Sequence, residues 1–280
     1  MNRICTALAR EAGIAAEHIG IGVTALSRAN LTQAAYYGQA FFALSVGFER
    51  SAKLAIAVHH AIENDGEFPT KGDFRGYGHK IDSLLDKVES IAGNYGLEED
   101  YAKLPRTSIH RAIVQQLTDF AANKTRYYNL EVLSAASQKE DETAEQVDDP
   151  IASWHREVTL RVLNAHCPKP RLEALAARSS ALGAAIGSYA VVFHTDEEGA
   201  PISSVTDLYL SLSLVEYAQK YVRMYVLQIA RHIAVLMSEL GNAGYKFAPE
   251  QVIPALSEFY GIFYRNDSVF KKNKTWSTVR

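Results

Sequence analysis

The chain has 280 residues, 48% of them hydrophobic, and its 29 basic and 32 acidic residues give a formal net charge of −3. This length and apolarity suffice to bury a core, which excludes a disordered chain and a miniprotein held together by disulfides or metal. The near balance of charge excludes a general basic coat for nucleic acid, although a local basic patch stays possible.

Glycine and proline placement favours helices along most of the chain. Apolar residues spaced at i, i+3 and i+4 predict three long helices. The first covers residues 31–62. The second begins after Gly78 and ends at Gly93 and Gly96, and the third covers residues 204–241. Ser204 and Asp207 form a capping pair at the start of the last one. Shorter helices are predicted at residues 108–123, 125–137, 150–165, 171–189 and 249–264.

These elements predict an all-α fold, a multi-helix bundle interrupted by three loops. The loops cover residues 63–75, an acidic connector at 138–149, and residues 194–203. A connector of this length is also an ordinary loop between long helices. We favour a single all-helical unit over residues 1–280, and a subdivision into 1–137 and 150–280 stays open.

Cysteine usage and hydropathy bear on the compartment. Cys5 and Cys167 are too few for a disulfide framework and favour a reducing compartment, so we expect a cytoplasmic protein. Charged residues, beginning with Arg3 and Arg10, interrupt the N-terminal region, which is unlike a signal peptide. The longest uncharged candidate, residues 179–193, is shorter than the roughly 18–20 residues of a spanning helix. We therefore expect no membrane partner.

Metal and cofactor motifs are missing from the sequence. None of the nine histidines has a glutamate three positions before it, as a di-iron bundle requires, and there is no HExxH zinc pattern. Glycine-rich loops for nucleotide phosphates are missing as well. His59 or His60 could chelate a metal with Glu63, but a polar helix end is favoured. We expect no metal and no cofactor.

Two short patterns carry a family resemblance. One is Gly-x-Glu-Arg-x-x-Lys-Leu over residues 47–54, and the other is Gly-His-Lys-Ile-x-x-Leu-Leu over residues 78–85. Together they resemble the HEPN superfamily over about residues 35–90. The resemblance implies a HEPN-like core with additional C-terminal helices, and a homodimer. It further implies a bacterial defence or toxin-system protein that acts on RNA, as a metal-independent endoribonuclease or as a catalytically degenerate relative.

His79 is the first candidate site residue. If Gly78 ends the preceding loop, the imidazole lies at a helix N-terminus, where free N–H groups and the macrodipole attract anions. Arg75 and Lys80 are near it in sequence, so a phosphate ester could bind there. The alternative is a histidine that only caps or packs. By the resemblance, Glu49 and Lys53 orient the pocket, whereas a simple i, i+4 ion pair is the other interpretation of those two.

HEPN ribonucleases share a second feature, an arginine followed after four to six residues by a histidine. The late segment that begins at Arg265 has phenylalanine or lysine where histidine belongs, and the literal match is Arg161 to His166. In an active enzyme, His79 or His166 would act as acid and base. Arg75, Arg161 or Arg265 would then hold the scissile phosphate. This departure from the family pattern leaves catalysis open.

The C-terminal residues 265–280 combine basic side chains with an aromatic ring, a mixture that can bind single-stranded nucleic acid. A solvated tail is the other interpretation. The residues in question are Arg265, Lys271, Lys272, Lys274, Trp276 and Arg280.

A non-catalytic module that binds a partner protein is the alternative function. It is favoured by tyrosines repeated along long helices, because tyrosine is enriched at interfaces. Those tyrosines are Tyr36, Tyr37, Tyr217, Tyr221 and Tyr225.

Overall fold

The computed structural model describes residues 3–97, 99–122, 125–135, 148–245 and 253–277. The predicted all-α bundle is confirmed, with twelve α-helices in these ranges. They are α1 (Arg3–Leu26), α2 (Ala35–Glu63), α3 (Lys71–Gly76), α4 (Ile81–Asn94), α5 (Ser108–Ala121), α6 (Tyr128–Ala135), α7 (Pro150–Trp154), α8 (Leu160–His166), α9 (Lys169–Ile186), α10 (Val205–Gly244), α11 (Ser257–Tyr260) and α12 (Asp267–Lys272).

Short irregular helical segments complete the described chain. A π-helical segment, His155–Thr159, joins α7 to α8, and 3-10 turns cover Leu31–Gln33 and Gly261–Phe263. Two-residue strands β1 (His194–Thr195) and β2 (Pro201–Ile202) pair antiparallel, with His194 opposite Ile202. This hairpin occupies the predicted loop 194–203.

The helices α1 and α2 form the closest pair in the bundle. Small residues on α1 such as Ala12, Ala15 and Ala16 are fully buried against α2. A Cβ on Gly22 of α1 would come within 3 Å of a backbone nitrogen of α2. A Cβ on Gly47 of α2 would likewise come within 3 Å of a backbone nitrogen of α1. Glycine at these two positions therefore sets how near the two helix axes come.

The 40-residue helix α10 packs against several elements from both halves of the chain, including α2, α5, α8, α9 and α12. One hydrophobic core extends from Leu8 in α1 to Trp276 beyond α12. It therefore draws residues from both sides of the connector predicted at 138–149, of which residues 138–147 lie outside the described ranges.

Helix starts follow local capping chemistry. Ser204 accepts a hydrogen bond from the Asp207 backbone N–H at the start of α10, as predicted, and Asp149 caps α7 ahead of Pro150. The short helix α3 lies inside the loop predicted at 63–75. It begins with a capping box in which the side chains of Thr70 and Asp73 each bind the other's backbone N–H.

The structure also differs from the prediction at its two ends. Residues 3–26 form a helix that was not predicted, and α12 lies within the segment treated as a tail. The helix predicted at 249–264 contains only α11 and the 3-10 turn after it, while residues 249–252 lie outside the described ranges. No described helix combines the length and apolarity that a bilayer crossing requires.

Candidate functional site

A first cluster joins Glu49, Lys53 and His79, which come from the two sequence patterns. Glu49 Oε1 accepts a hydrogen bond from Lys53 Nζ at 2.8 Å and lies 2.9 Å from His79 Nδ1. Both α2 side chains are about one-fifth exposed, whereas the His79 side chain is 75% exposed. The cluster is therefore an ion pair on α2 with a surface imidazole at its edge.

The start of α4 satisfies much of its own hydrogen bonding. Lys80 is the N-cap, and Gly78 before it adopts a left-handed backbone with φ of 68°. The Asp82 backbone N–H donates to Thr118 Oγ1 at 3.2 Å, and the Ser83 N–H donates to Asp82 Oδ1 at 2.7 Å. Two donors of the first turn are thus used within the protein, and the carboxylate of Asp82 lies beside them. This geometry weakens the predicted anion site.

A second cluster, which we term the tyrosine–lysine face, lies where the end of α8 meets α10 and α12. Its members are His166, Tyr217, Lys220, Tyr221, Tyr225 and Lys271. The His166 ring stacks on Tyr221 with centroids 4.1 Å apart and planes 5° from parallel. His166 Nε2 lies 2.9 Å from Tyr225 Oη. The Tyr217 hydroxyl donates to the His166 carbonyl at 2.7 Å.

Cations surround these rings. Lys220 Nζ lies 4.2 Å from the Tyr217 ring centroid and 4.9 Å from that of Tyr221, and Lys271 Nζ lies 5.9 Å from the latter. The exposed Arg171 guanidinium lies 5.5 Å from the Tyr217 centroid. Such contacts hold positive charge against the ring faces. The face therefore presents aromatic surface and cations side by side.

The protonation states of the side chains on this face follow from their burial and from the charges near them. Burial lowers the pKa of His166, and the nearby Lys271 and Lys220 lower it further. Burial and a hydrogen bond with Tyr221 raise the pKa of Tyr217 to about 12. The imidazole of His166 is thus neutral at pH 7 and the Tyr217 hydroxyl is protonated.

A partly buried hydrogen-bond chain, which begins at the buried His110, lies beside the face. The His110 ring packs edge-on against Tyr225 at 4.8 Å, and its Nε2 lies 2.8 Å from Gln228 Oε1. Gln228 in turn donates to Asp267 at 2.9 Å, which also pairs with Arg231 at 2.9 Å. Burial lowers the pKa of His110 to about 4. This chain fixes Tyr225 relative to the start of α12.

Arg223 positions the other end of α12. Its guanidinium is buried and donates to the carbonyl of Lys271 at 2.8 Å and, with a longer contact of 3.4 Å, to that of Phe270. These carbonyls belong to the last turn of α12, where a cation is favoured by the helix dipole. Burial lowers the pKa of Arg223 to about 10, so it stays charged at pH 7. Arg223 thus fixes the backbone that carries Lys271.

The predicted site residues fall into separate groups. His166 and Lys271 share the tyrosine–lysine face, while Arg161 of α8 is ion-paired with Glu157 of the preceding π-helical segment. Arg265 lines a surface depression beside Tyr264. The remaining predicted residues, Arg75, Lys80 and Lys272, are exposed.

The two clusters lie apart along α5. Thr118 contacts the backbone of Asp82, near His79, whereas His110 contacts Tyr225 on the tyrosine–lysine face. About 12 Å of helix axis separates Thr118 from His110 at 1.5 Å per residue. We therefore treat His79 and His166 as members of different sites.

The C-terminal segment is docked rather than solvated over its described part. Trp276 is 7% exposed, and its backbone N–H donates to Thr24 Oγ1 of α1 at 2.9 Å. Its ring packs against Phe270 and Phe263, so it offers no stacking platform for a base. The interpretation of residues 265–277 as a free tail is therefore wrong. The half-buried rings near Lys271 belong to α10 instead.

Sequence reasoning missed the contribution of Lys220 and the meeting of α8, α10 and α12. The spacing of Tyr217, Tyr221 and Tyr225 by four positions was the available signal, because it places three rings on one side of a helix. Among the described residues, no group of three or more His, Cys, Asp or Glu side chains is arranged to hold a metal ion.

No protein-family model, curated protein or solved structure matches the chain. Its function is therefore inferred from the geometry of its own side chains.

Proposed function

We propose that this protein binds single-stranded RNA on the tyrosine–lysine face. The observation that carries the proposal is the His166–Tyr221 stack, flanked by Lys220 and Lys271. Bases of single strands stack on aromatic rings, and lysines contact the phosphates between them. The rings are half-buried, so packing holds them in place while part of their surface stays accessible. This arrangement suits a flexible polyanion that carries planar groups.

Binding without cleavage is the activity that this geometry supports. A ribonuclease needs an acid and base group aimed at the scissile phosphate. His166 Nε2 is instead engaged by Tyr225, and Arg161 is engaged by Glu157. The resemblance to the HEPN superfamily supports the choice of RNA and a role in a bacterial defence or toxin-type system in the cytoplasm. In that setting, the protein is a relative that retains RNA binding.

Fluorescence anisotropy with a labelled single-stranded RNA of about 12 nucleotides tests the proposal, since aromatic single-strand sites span several nucleotides. We expect Tyr221→Ala and Lys220→Ala each to weaken binding about tenfold. Lys220→Ala should also reduce the slope of log affinity against log salt by about 0.7, because one phosphate contact is lost.

The matched control is a second tyrosine–lysine pair elsewhere on the surface. Lys87 Nζ lies 5.2 Å from the Tyr77 ring centroid, near the start of α4 and not on the tyrosine–lysine face. Tyr77→Ala and Lys87→Ala should leave the RNA affinity unchanged. Equal losses at both pairs, or no measurable binding by the wild-type protein, would contradict the proposal.

Incubation with total RNA in EDTA separates binding from metal-independent cleavage. We expect intact RNA. Cleavage that disappears in His166→Ala, but persists in His79→Ala, would instead identify the tyrosine–lysine face as a ribonuclease site. Cleavage that depends on His79 would overturn the assignment of RNA to this face.

The alternative function, an interaction module, is favoured by a different observation. Tyr189, Val191 and Phe193 are 91%, 94% and 98% exposed, and they lead directly into β1. We term residues 189–193 the apolar ribbon. Two aromatic rings and a valine of this exposure offer roughly 500 Å² per copy. Two copies paired through the ribbon would thus bury about 1,000 Å², the lower bound for a specific interface. We propose that a second copy covers it.

A further inference from the structure

The hairpin of β1 and β2 buries two side chains against the bundle. Within residues 194–202, all of which the structure describes, these are Glu197 and Ile202, at 5% and 7% exposure. The turn between the strands keeps its own shape, because Asp196 Oδ1 accepts hydrogen bonds from the backbone N–H groups of Glu198 at 2.9 Å and Ala200 at 2.8 Å. The hairpin is thus a small unit that can dock and undock as a whole.

Glu197 is an unusual anchor, because acidic side chains are almost never fully buried unless they are paired. No other acidic side chain in the described part of the chain is as little exposed. Its Oε1 has no hydrogen-bond partner among the described residues. The groups that act on the carboxylate are the backbone N–H groups of Leu31 and of Glu197 itself, and the like charge of Asp196. An ionised Glu197 therefore has no counter-charge in this position.

Tyr37 of α2 is a second unpartnered group near this carboxylate. Its side chain is 1% exposed, and its Oη has no hydrogen-bond partner among the described residues. Burial raises the pKa of Tyr37, and the charge of Glu197 raises it further, so the phenol stays protonated. The 3-10 turn Leu31–Gln33 contains no ionisable side chain and contributes a backbone N–H. Neither neighbour therefore brings a cation to Glu197.

The π-helical segment directs its positive charge to the other acidic residues of the turn. Burial lowers the pKa of His155, whereas Glu198 and Asp196 raise it. The charge of Arg156 lowers the same pKa. Glu197 thus remains the acidic residue of the turn that is both buried and without a cation.

We propose that Glu197 is a pH-sensitive latch: the hairpin docks with the carboxyl group protonated and leaves the bundle when that group ionises. An ionised carboxylate in the docked position faces a like charge and is cut off from water, whereas the released hairpin lets water solvate it. Ile202 is the other anchor, so protonation shifts an equilibrium between docked and released hairpin. The proposal is independent of RNA binding, because no residue of the tyrosine–lysine face belongs to the hairpin.

The direction of the pH dependence follows from which form of Glu197 the docked position favours. Burial raises the pKa of Glu197 and Asp196 raises it too, against the opposing effect of the two backbone N–H groups. In the released hairpin the carboxyl titrates near its ordinary value of 4.5. Docking is therefore fully favoured below about pH 4.5 and weakens as the pH rises through the raised pKa of the docked form. His155 acts in the opposite direction, since its lowered pKa opposes docking in acid.

Electron paramagnetic resonance distance measurements on the full chain test the latch. Spin labels are placed at two exposed positions, Ala200→Cys in the hairpin and Gln115→Cys on α5, in a Cys167→Ser background because Cys5 is buried. We expect a longer distance for the released hairpin, populated increasingly from pH 5 to pH 8. Glu197→Gln is neutral at every pH, so its longer-distance population should not rise over this range.

The ratio of released to docked hairpin in the wild-type background, divided by that in Glu197→Gln, removes the contribution of His155. We expect this quotient to rise at least about threefold between pH 5 and pH 8. Glu198→Gln, at the exposed neighbouring position, is the matched control and should behave as the wild type. Ile202→Ala should increase the released population at each pH and keep the pH dependence. A quotient that does not change with pH, or an equal loss of pH dependence in Glu198→Gln, would overturn the proposal.

Discussion

The glycine of the first sequence pattern has a packing role at the scale of a single residue. A Cβ on Gly47 would lie 2.7 Å from Ile19 Cγ1 and 2.8 Å from the Ile19 backbone nitrogen. A side-chain atom can move, but the backbone nitrogen of α1 can move only if the whole helix shifts. The need for glycine at this position thus follows from helix packing and does not require chemistry at the site.

Replacing Gly47 by alanine should therefore destabilise the fold. We expect Gly47→Ala to lower the free energy of unfolding by about 1–3 kcal/mol, the usual cost of overpacking a core. Gly38→Ala, on the same helix, should instead raise it by up to about 1 kcal/mol, because nothing lies within 4 Å of the added methyl group and alanine favours helix. Urea unfolding followed by circular dichroism measures both. Equal effects of the two changes would contradict this explanation.

Glu49, Lys53 and His79 show what a local pattern can predict. The i, i+4 spacing of Glu49 and Lys53 places them on one side of α2, and their ion pair follows from it. That His79 reaches the same carboxylate depends on the packing of α4 against α2, which no spacing within either segment reveals.

At the scale of elements, the spacing of apolar residues in the sequence predicted some helices well and others not at all. The stripe predicted on α4, which includes Ile81, Leu84, Leu85 and Val88, is buried as expected. Helix α1 was missed because its core face consists largely of alanine and glycine, which carry little hydrophobic signal. Those small residues make sense only with α2 beside them, so the pattern becomes clear from the pair and not from the single segment.

The docking of the C-terminal segment could not be predicted for a related reason. Six residues of α12 are too few for a periodic pattern. The charged residues around Trp276 favoured a segment exposed to solvent. Gly20 and Thr24 of α1 provide its seat, since a Cβ on Gly20 would lie 3.0 Å from the Trp276 carbonyl oxygen. These partners are about 250 positions away in sequence.

The apolar ribbon gives a prediction at the same scale. If two copies pair through residues 189–193, Val191→Lys places two ammonium groups near the two-fold axis, where like charges repel. We expect the wild-type protein to be a dimer by size-exclusion chromatography with light scattering, and Val191→Lys to be a monomer.

Ile21→Lys is the control for the added charge in that experiment, because Ile21 is also an exposed apolar residue but lies on α1. It should remain dimeric. A wild-type monomer at micromolar concentration, or a dimer that persists in Val191→Lys, would show that the ribbon does not pair with a second copy.

At the scale of the whole molecule, the two clusters differ in how much of their geometry the sequence could predict. The first cluster rests on two patterns within about 40 residues. The tyrosine–lysine face joins α8, α10 and α12. Its geometry depends on the hydrogen bonds that join Arg223 to Lys271 and Gln228 to Asp267, which are 48 and 39 positions apart in sequence. Candidate residues such as His166 and Lys271 could be named singly, but their meeting is a property of the tertiary fold.

Burial of histidines gives the whole molecule a characteristic response to acid. Burial is the main cause that lowers the pKa of six described histidines below 6.5. They are His18, His59, His110, His155, His166 and His232. A histidine with a depressed pKa stays neutral in the folded state while the unfolded chain takes up the proton. Stability is therefore fully present above about pH 6.5 and falls as the pH drops towards the folded-state pKa values.

His110 should make the largest measurable contribution to that response. Its pKa of about 4 in the folded state, against 6.5 in the unfolded chain, corresponds to roughly 3 kcal/mol lost between pH 7 and pH 4. We expect His110→Gln to flatten the dependence of the free energy of unfolding on pH, measured by urea titration between pH 7 and pH 4.5. It should do so even if the variant is less stable at pH 7. His194→Gln, at an exposed position, should leave the slope as in the wild type. An unchanged slope in His110→Gln would mean that this imidazole takes up its proton in the folded protein, and that the hydrogen-bond chain from His110 to Asp267 opens to admit it.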